Sequence, residues 1–385
     1  MTRNCFLIVA GERSGDMYGG ELAQALKARI AGAGVFGCGG EAMRSAGVET
    51  VVDIHQVALI GISEVVSGLP RAYHAMQSLV ADAARRKPAA AILIDSPSLN
   101  LRLAERLKKH NIPVIYFVSP QIWAWKKWRI KKIKACVDLM LCLFDFETEI
   151  YQKAGVPVQC VGHPLVDMAT PSQTREEFFK SAHLDLNTPT VALLPGSRRT
   201  EVKFNLPTML EAADQVAKSR NVQFAVACAP TIDPQWLESI TAHGYTGKAP
   251  LHVLSNATRE ALRYANAAVV ASGTATIEAA LQECPMVVVY RVSAFTAMCA
   301  RILINVPFYS MVNLLAGRMA VPELIQNDFT ADRLASQLQY LMDDGAARSK
   351  MVEELQHVRL RLGKGGAIGR AADAISRHLK GSRHP

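Results

Sequence analysis

The stretch CFLIVAGERSGD, residues 5–16, joins a short apolar run to a glycine-containing loop that leads into helical sequence. The apolar part, Phe6–Ala10, is typical of a buried β-strand, and Gly11 and Glu12 begin the loop that follows it. The same succession of apolar run, polar loop and amphipathic segment recurs along the chain. It is the repeating unit of a parallel sheet that helices cover on both faces.

Seven further apolar runs have the length of buried strands. They are Ala91–Ile94, Val114–Val118, Leu139–Leu143, Val191–Leu194, Gln223–Cys228, Ala267–Ala271 and Met286–Tyr290. They predict an α/β fold of doubly wound parallel sheets, in which ligands bind beyond the carboxyl ends of the strands. From Leu206 onward, apolar residues recur with the helical period, and Pro207 suits the first turn of that helix.

Two domains are expected, because 385 residues exceed the roughly 100–200 residues of an ordinary domain. The polar segment VGHPLVDMATPSQTREE, residues 161–177, predicts the boundary, with Pro171–Gln173 as a linker. Two doubly wound halves would then follow one another. The cleft between them would be the natural binding site.

The bulk composition restricts the partners and the compartment. A formal net charge of +9 suits a phosphate-bearing partner, such as nucleic acid, a nucleotide or an anionic lipid. The eight cysteines form no C-x-x-C pair, which is typical of small buried side chains in a reducing compartment. No run approaches the roughly 20 apolar residues of a membrane span, and the N-terminus lacks the longer apolar stretch of a signal peptide. We therefore expect a soluble protein or one bound to a membrane surface.

Three loops after predicted strands carry small residues at the start of a helix. They are Gly11–Asp16, Pro195–Glu201 and Ser272–Thr276. Small residues let a ligand approach the backbone, and unpaired N–H groups at a helix start favour an anion. Tight turns alone would use the same residues, but three such loops favour phosphate binding. The pair Arg198–Arg199 fits this, because guanidinium groups bind phosphate oxygens in a two-pronged geometry.

Other nucleotide and metal motifs are weak or missing. The chain has no G-x-x-x-x-G-K-[ST], which excludes a P-loop ATPase, and Gly37–Gly40 predicts a turn rather than a dinucleotide fingerprint. It also has no D-x-D pair and no histidine pair with metal spacing. We therefore expect neither a metal ion nor an organic cofactor, with phosphate charge neutralised by helix ends and arginine.

Asp95 follows the strand Ala91–Ile94 directly, in the loop DSPSLN, residues 95–100. A carboxylate at the carboxyl end of a strand is placed to act as a general base. The alternative is that Asp95 caps the helix that follows. Both readings remain open from the residues alone.

Two segments suggest a surface for lipid. WAWKKWRIKKIK, residues 123–134, holds three of the four tryptophans and six positive charges. This composition favours an anionic membrane interface, although single-stranded nucleic acid or a solvated helix with buried tryptophans would also suit it. The segment Val57–Met76 is apolar with few charges, and it would either contact lipid tails or form a buried helix pair.

Seven motifs resemble the lipid-A-disaccharide synthases, in the same order along nearly the whole chain. They are AGERSGD (10–16), IDSPSLN (94–100), VSPQIWAW (118–125), VGHPLVD (161–167), LLPGSRRTEV (193–202), ASGTATIEA (271–279) and NLLAGR (313–318). LLPGSR and SGTAT also occur in other two-domain glycosyltransferases, whereas AGERSGD and VSPQIWAW are more particular to this family. The resemblance implies a GT-B fold, with two Rossmann-like domains facing across a cleft.

The resemblance also implies a separate role for each part of the chain. Residues 1–165 would bind the acceptor, residues 166–350 would bind the UDP-sugar, and the helical segment 351–385 would cross back to the first domain. The enzyme would transfer 2,3-diacylglucosamine from UDP-2,3-diacylglucosamine to 2,3-diacylglucosamine 1-phosphate, with inversion. The product would be the β-1′,6-linked tetra-acyl disaccharide 1-phosphate of lipid A biosynthesis.

Family members work in the cytoplasm at the anionic inner face of the inner membrane, without a membrane span. The resemblance implies no nucleic-acid partner, and it leaves open whether the chain forms a homodimer. The donor residues that it implies are Gly196, Ser197, Arg198, Ser272, Gly273, Thr274, Ala275, Glu278, Asn313, Glu323 and Gln326. Glu278 would hold the ribose hydroxyls, and Arg198 would stabilise the leaving diphosphate.

The acceptor side is less well defined. Glu12, Ser14 and Asp16 would line it, and the residues expected to meet acceptor or membrane are Trp123, Trp125, Lys126 and Lys127. The chain departs from the family motif IDxPDFN, because Ser98 replaces the second aspartate, which is implicated in catalysis. Ala89 replaces another acidic position. Asp95, Asp16 and Glu12 remain as candidate bases, in that order.

Two other functions stay open at this point. Another enzyme that uses a UDP-sugar on the same scaffold, such as an epimerase, would not need the tryptophan-rich basic segment. A nucleic-acid-binding protein would explain the charge and the aromatic residues, but three loops that open helices in an α/β chain argue against it.

Overall fold

The computed structural model describes residues 4–57, 62–123, 128–293, 307–343 and 345–381, with the backbone alone for residues 62–69. The chain divides into two compact units. The first comprises Met1–Asp167 and Leu362–Pro385, and the second comprises Met168–Arg361. The second unit is thus a continuous insertion in the first.

The first unit is built on a parallel sheet, seven-stranded over the described residues, with the order β3-β2-β1-β4-β5-β6-β7. The strands are β1 (Cys5–Ala10), β2 (Gly34–Gly39), β3 (Glu49–Asp53), β4 (Ala90–Ile94), β5 (Val114–Phe117), β6 (Leu139–Cys142) and β7 (Val158–Cys160). The helices are α1 (Arg13–Arg29), α2 (Glu41–Ser45), α3 (Ile54–Val57), α4 (Ile62–Arg86), α5 (Pro97–Lys109), α6 (Arg129–Cys136), α7 (Asp145–Lys153) and α8 (Leu165–Met168). Every residue of β4 and β5 is fully buried, as expected for strands covered on both faces.

The second unit repeats the plan with a six-stranded parallel sheet over the described residues, in the order β10-β9-β8-β11-β12-β13. The strands are β8 (Thr190–Leu194), β9 (Gln223–Cys228), β10 (Leu251–Ser255), β11 (Ala267–Ala271), β12 (Met286–Tyr290) and β13 (Glu323–Ile325). The helices are α9 (Arg175–Ser181), α10 (Arg199–Ser219), α11 (Pro234–Gly244), α12 (Thr258–Tyr264), α13 (Thr274–Leu281), α14 (Met311–Ala316), α15 (Ala331–Asp343) and α16 (Gly345–Arg361).

Each sheet reverses its strand order once near the middle. The reversal lies between β1 and β4 in the first unit and between β8 and β11 in the second. Ala10 pairs with Ile94 in the first sheet, and Val270 pairs with Leu194 in the second, so the two loops that leave each reversal start side by side. Because the chain diverges to opposite faces there, a crevice opens at the carboxyl ends of the strands. The four loops that the sequence singles out, after β1, β4, β8 and β11, all lie at these two points.

The last described helix, α17 (Ala367–Gly381), belongs to the first unit. Arg29 of α1 forms an ion pair with Asp373 at 2.6 Å. The Arg370 guanidinium donates to the backbone oxygen of Val161 at 2.8 Å. The Asp167 carboxylate accepts from the backbone N–H groups of Gly366 and Ala367, which caps the start of α17.

Two local predictions are wrong. Helix α10 starts at Arg199, so Pro207 lies inside it rather than in its first turn. The helix begins earlier because Glu201 forms a capping box there, and Pro207 lies on its exposed face. Gly37 lies in β2 and not in a turn: a Cβ atom at this position would stand 1.8 Å from the Ile8 backbone oxygen, so glycine is needed for strand packing.

Over the described residues, no helix has both the length and the apolar character needed to cross a membrane. Within Val57–Met76, residues 58–61 and the side chains of 62–69 lie outside the described part of the chain. In the remainder, Val57 and Met76 are buried in the core of the first unit. Tyr73 on the same helix is 48% exposed.

Candidate active site

The loop after β4 has an unusual backbone that the residues around it hold in place. Asp95 and Ser96 have φ angles of +49° and +44°, a left-handed conformation that non-glycine residues rarely adopt. The buried Asn100 amide donates to the backbone oxygens of Ile94 and Asp95 at 2.9 and 2.8 Å. The Tyr116 hydroxyl also donates to the Asp95 oxygen. Strain that several hydrogen bonds maintain is a feature of functional sites.

The Asp95 carboxyl group is half-buried at this position. Burial, and then the negative charge of Glu12, raise its pKa from 3.8 to about 6. A carboxylate with such a pKa is ionised at neutral pH and is a stronger base than an ordinary aspartate. Ser96, and not Asp95, is the N-cap residue of helix α5, and the Ser96 side chain forms no capping hydrogen bond.

Asp16 is not available as a base. It is buried, and its carboxylate accepts hydrogen bonds from the backbone N–H groups of Gly40, Ala42 and Met43 at 2.6–3.2 Å. These bonds hold the start of α2 against α1, and they engage both carboxylate oxygens. The structure therefore corrects the candidate role of Asp16 from base to support.

The remaining first-unit candidates have different exposures. Glu12 is exposed at the N-cap of α1, and Ser14 is half-buried in its first turn. Ser98 is exposed on α5, and the guanidinium of the buried Arg129 lies 3.5 Å from its hydroxyl. The sequence favoured a membrane interface for the whole segment 123–134, whereas the structure buries Arg129 and places its charge beside the β4 loop.

Trp123 is part of a polar network at the ends of β5 and β6. Its indole N–H donates to Glu147 at 3.3 Å, and its ring meets Phe146 edge to face. Glu147 is buried and accepts from the backbone N–H groups of Leu143 and Phe144, and burial raises its pKa to about 7. Trp123 is thus anchored to α7. Trp125, Lys126 and Lys127 lie outside the described residues.

At the second reversal, a side chain of the protein itself occupies part of the loop after β8. The Glu201 carboxylate accepts from the backbone N–H groups of Ser197 at 2.9 Å and Arg198 at 3.3 Å. Gly196 has a φ of +131°, and a Cβ atom there would stand 2.6 Å from the Glu201 Cβ atom. The glycine is needed for the capping carboxylate, so the N–H groups of Ser197 and Arg198 are engaged within the chain, in contrast to the open backbone that the sequence suggested.

The two arginines of this loop point to different partners. Arg198 forms an ion pair with Glu201 at 3.2 Å. Arg199 lies 4.0 Å from Asp233, and its guanidinium stacks over the Trp236 ring. The sequence suggested that both arginines bind phosphate at this loop. Only Arg198 lies next to the strand-order reversal.

The loop after β11 is open where the loop after β8 is closed. Gly273 has a φ of +153°, and no heavy atom of the described residues lies within 4 Å of a Cβ atom built there. Gly273 and Thr274 are exposed, Ala275 is half-buried, and no described side chain caps the start of α13. Glu278 lies one turn further along, half-buried. Backbone N–H groups at an uncapped, glycine-led helix start are suited to a phosphate.

A series of hydrogen bonds connects the loop after β11 to the segment that begins at Tyr309. The Ser272 hydroxyl donates to the Tyr309 backbone oxygen at 3.0 Å. The Glu323 carboxylate accepts from the backbone N–H groups of Tyr309 and Ser310, and from the Asn313 amide at 2.8 Å. The segment that begins at Tyr309 is thereby fixed against the end of β11.

Asn313 and Gln326 serve this support rather than a ligand surface. Asn313 is completely buried, donates also to the Val321 oxygen, and accepts from the N–H groups of Ala320 and Val321. The Gln326 amide pairs with the backbone N–H and C=O of Val292 at 3.1 and 3.2 Å. Their predicted direct contact with the donor is therefore corrected to positioning.

Known proteins identify the family to which the chain belongs. The family model described as lipid-A-disaccharide synthetase matches residues 5–371. The chain belongs to the lipid-A-disaccharide synthetase family. It is 44% identical over 370 residues to a lipid-A-disaccharide synthase of Myxococcus xanthus, covering 96% of each chain. It is also 44% identical to one of Acidobacterium capsulatum, covering 94% of this chain and 93% of that one.

Solved structures show the fold of this family member. A putative UDP-N-acetylglucosamine 2-epimerase from Listeria monocytogenes matches with a TM-score of 0.71 at 12% identity, covering 100% of this chain and 99% of that chain. The spinosyn forosaminyltransferase SpnP matches with a TM-score of 0.62 at 12% identity, covering 99% and 100%. The predicted GT-B fold class is confirmed, and the chain is a glycosyltransferase of the lipid-A-disaccharide synthetase family. The epimerase and nucleic-acid alternatives are not favoured.

Sequence reasoning missed two residues that shape the synthetase site. Asn205 is fully buried on α10; its amide donates to the Pro195 oxygen at 3.0 Å and accepts from the Arg291 N–H at 3.0 Å. It therefore joins the loop after β8 to the end of β12. A polar residue on the buried face of a helix was its only signal. The other residue is Glu201, and its only signal in the sequence is its position four residues after Ser197.

Proposed function

We propose that this glycosyltransferase moves 2,3-diacylglucosamine from UDP-2,3-diacylglucosamine to 2,3-diacylglucosamine 1-phosphate. The proposal is carried by two chemically complementary groups, one at the strand-order reversal of each unit. The first unit presents a carboxylate with a raised pKa, on Asp95, and the second presents the glycine-led start of α13. Transfer from a nucleotide-sugar needs a base for the acceptor hydroxyl and positive potential for the leaving diphosphate.

The donor would bind to the second unit. The backbone N–H groups at the start of α13, with Gly273, Thr274 and Ala275, would face the diphosphate, and Arg198 would add positive charge. Glu278 is one turn along the same helix, where its carboxylate would accept from ribose hydroxyls. Ser272, Asn313, Glu323 and Gln326 would hold these elements in place through the hydrogen bonds described above. The UDP-binding role of this unit is thus concentrated in α13 and Arg198.

The acceptor would bind to the first unit, where Asp95 acts as the base. Its carboxylate would take the proton of the acceptor 6-hydroxyl as that oxygen attacks the anomeric carbon from the face opposite UDP. The bond between the anomeric carbon and the diphosphate oxygen breaks, and UDP leaves with the electron pair. Inversion follows from this single displacement. Glu12 raises the basicity of Asp95 and lies on the same side.

The family motif has an aspartate where this chain has Ser98, which lies in the first turn of α5, three residues after Asp95. The raised pKa of Asp95 makes it the candidate for the work of the missing carboxylate. Arg129 lies beside Ser98 and would bring positive charge to the 1-phosphate of the acceptor.

Both substrates carry acyl chains, so the enzyme would work at the cytoplasmic, anionic face of the inner membrane. Trp128 is 65% exposed, and Lys131 and Lys134 on α6 are exposed beside it. Tryptophan and lysine together suit an interface with anionic lipid. Trp123 would not take part, because Glu147 and Phe146 hold it.

UDP release measured with each substrate alone and with both together tests the function. We expect release from UDP-2,3-diacylglucosamine only when 2,3-diacylglucosamine 1-phosphate is present, with a tetra-acyl disaccharide 1-phosphate as product by mass spectrometry. UDP-N-acetylglucosamine, which carries an acetyl group in place of the two long acyl chains, serves as the control donor. Equal release with and without the lipid acceptor, or epimerisation of the control donor, would contradict the proposal.

A further inference from the structure

We propose that Glu201 is a positioning residue that holds the Arg198 guanidinium for the donor diphosphate and closes the start of α10 to phosphate. This inference rests on the proposed function and deepens it, because it assigns the diphosphate to the start of α13. Neither Glu201 nor a closed loop was expected from the sequence.

The Glu201 carboxylate fills the place that an anion takes at a helix start. One oxygen accepts from the backbone N–H groups of Ser197 and Arg198, at 2.9 and 3.3 Å. The other accepts from the Arg198 guanidinium at 3.2 Å. Glu201 is 15% exposed, so this carboxylate is largely shielded from solvent and its bonds are weakly screened.

The glycine before Ser197 is fitted to this carboxylate. A Cβ atom at Gly196 would stand 2.6 Å from the Glu201 Cβ atom and 2.7 Å from its Oε2 atom. Contacts below 3.0 Å force one of the groups to move. The glycine thus removes the obstacle to the capping carboxylate, whereas no atom of the described residues lies within 4 Å of a Cβ atom at Gly273.

The two helix starts at this reversal are therefore not equivalent. A phosphate at the start of α10 would meet the negative charge of Glu201, and the N–H groups of Ser197 and Arg198 are already engaged. A phosphate at the start of α13 would meet no described side-chain cap. The ion pair restricts the Arg198 side chain, which is 44% exposed at the edge of this site, and thereby lowers the entropy lost when it contacts the donor.

Glu201→Gln separates the two roles of the carboxylate. The glutamine oxygen still accepts from the Ser197 N–H group, so the helix start and the melting temperature should change little. The ionic partner of Arg198 is lost. We expect kcat to fall about 10-fold with a smaller change in KM for the donor, because the contact acts on charge that develops in the transition state.

Arg198→Ala and the double variant complete the experiment. If Glu201 acts through Arg198, the double variant should have the same kcat and the same UDP affinity as Arg198→Ala alone. Asp233→Asn is the matched control: it removes the partner of Arg199, the neighbouring arginine in the same loop, and keeps a good cap for α11. We expect it to behave as the parent.

The outcomes distinguish this inference from the proposed function. Additive losses in the double variant, or parent activity in Glu201→Gln, would show that Glu201 does not act through Arg198 even if the transfer reaction is confirmed. If the parent binds UDP but gives no acceptor-dependent release, the function proposal fails, and the same cycle on UDP affinity still tests Glu201. Should Glu201→Gln fail to fold, Glu201→Asp keeps the charge with a shorter reach and enters the same cycle.

Discussion

Gly11 and Ser96 lie in contact across the first reversal: a Cβ atom at position 11 would stand 2.4 Å from the Ser96 hydroxyl oxygen and 2.7 Å from its Cβ atom. Ser96 follows Asp95 directly and shares its left-handed backbone. The loop after β1 is thus seated on the loop that carries the proposed base. The position of the Asp95 carboxylate depends on the absence of a side chain at residue 11.

Gly11→Ala should therefore displace Ser96 and disturb the base. We expect a loss of about 1–3 kcal/mol in the free energy of unfolding, as for an overpacked core, and a larger proportional loss in kcat. Urea denaturation and UDP release measure the two effects. Gly34→Ala is the control, because nothing described lies within 4 Å of a Cβ atom at that position. If both alanine variants behave alike, the contact with Ser96 has no role in the site.

Asp95→Asn tests the base. The pKa of about 6 predicts that kcat/KM of the parent falls about tenfold per pH unit below pH 6, where the carboxylate becomes protonated. Asp95→Asn should lose most activity and show no such limb in its residual rate. A variant that retains the parent's kcat and pH profile would remove Asp95 from the mechanism.

The same substitution should stabilise the protein at neutral pH. The pKa of Asp95 is higher in the folded chain than its ordinary value of 3.8, so folding favours the protonated form. The parent is therefore less stable relative to Asp95→Asn as the pH rises from about 4 through 6. The gain in melting temperature of the variant should be larger at pH 7.5 than at pH 5. A gain that is equal at both pH values would argue that burial does not raise this pKa.

Catalysis should survive removal of divalent metal ions. The sequence has no D-x-D motif, and the described residues form no group of three or more histidine, cysteine or carboxylate side chains that could hold a metal. We expect UDP release from detergent-dispersed substrates to continue in excess chelator. Loss of activity that magnesium or manganese restores, in this dispersed format, would contradict the prediction.

The exposed face of α6 should bind anionic membranes. Each lysine near such a surface contributes about 1 kcal/mol, so replacing Lys131 and Lys134 by serine together with Trp128→Ser should weaken binding to anionic vesicles about tenfold or more. The difference should shrink as salt is added. Lys350→Ser changes an exposed lysine of the second unit and is the control. Equal vesicle binding of the triple variant and the parent at every salt concentration would move the membrane contact elsewhere.

The strands and the reversal loops could be predicted because each rests on local sequence. Gln223–Cys228, Ala267–Ala271 and Met286–Tyr290 have the predicted bounds, since continuous apolar runs are ended by polar residues. What failed depends on pairings between side chain and backbone that no spacing rule contains. The amide of Asn313 meets groups up to ten residues away, and that of Asn205 meets the Arg291 N–H 86 residues away.

The sequence also showed only part of the reason why each loop glycine is needed. The sequence marks Gly196 and Gly273 as equivalent members of two phosphate loops. The structure gives Gly196 a capping carboxylate as neighbour, and in the described part of the chain nothing lies within 4 Å of a Cβ atom at Gly273. A glycine in a loop shows that something comes close to the backbone. Whether that neighbour is a ligand or another part of the chain depends on the tertiary fold.

The return of α17 to the first unit affects the order in which the chain can mature during synthesis. Residues 168–361 are contiguous, so this unit has all of its own sequence before the last segment leaves the ribosome. The first unit cannot be completed until α17 has been made. The α1 surface that later contacts α17 therefore stays uncovered while nearly 200 residues are translated. Nascent chains should therefore protect the later-made unit from protease first, a reversal of the usual order from the N-terminus. A premature stop after Arg361 would leave Arg29 without Asp373 and would make the older half of the protein the vulnerable one.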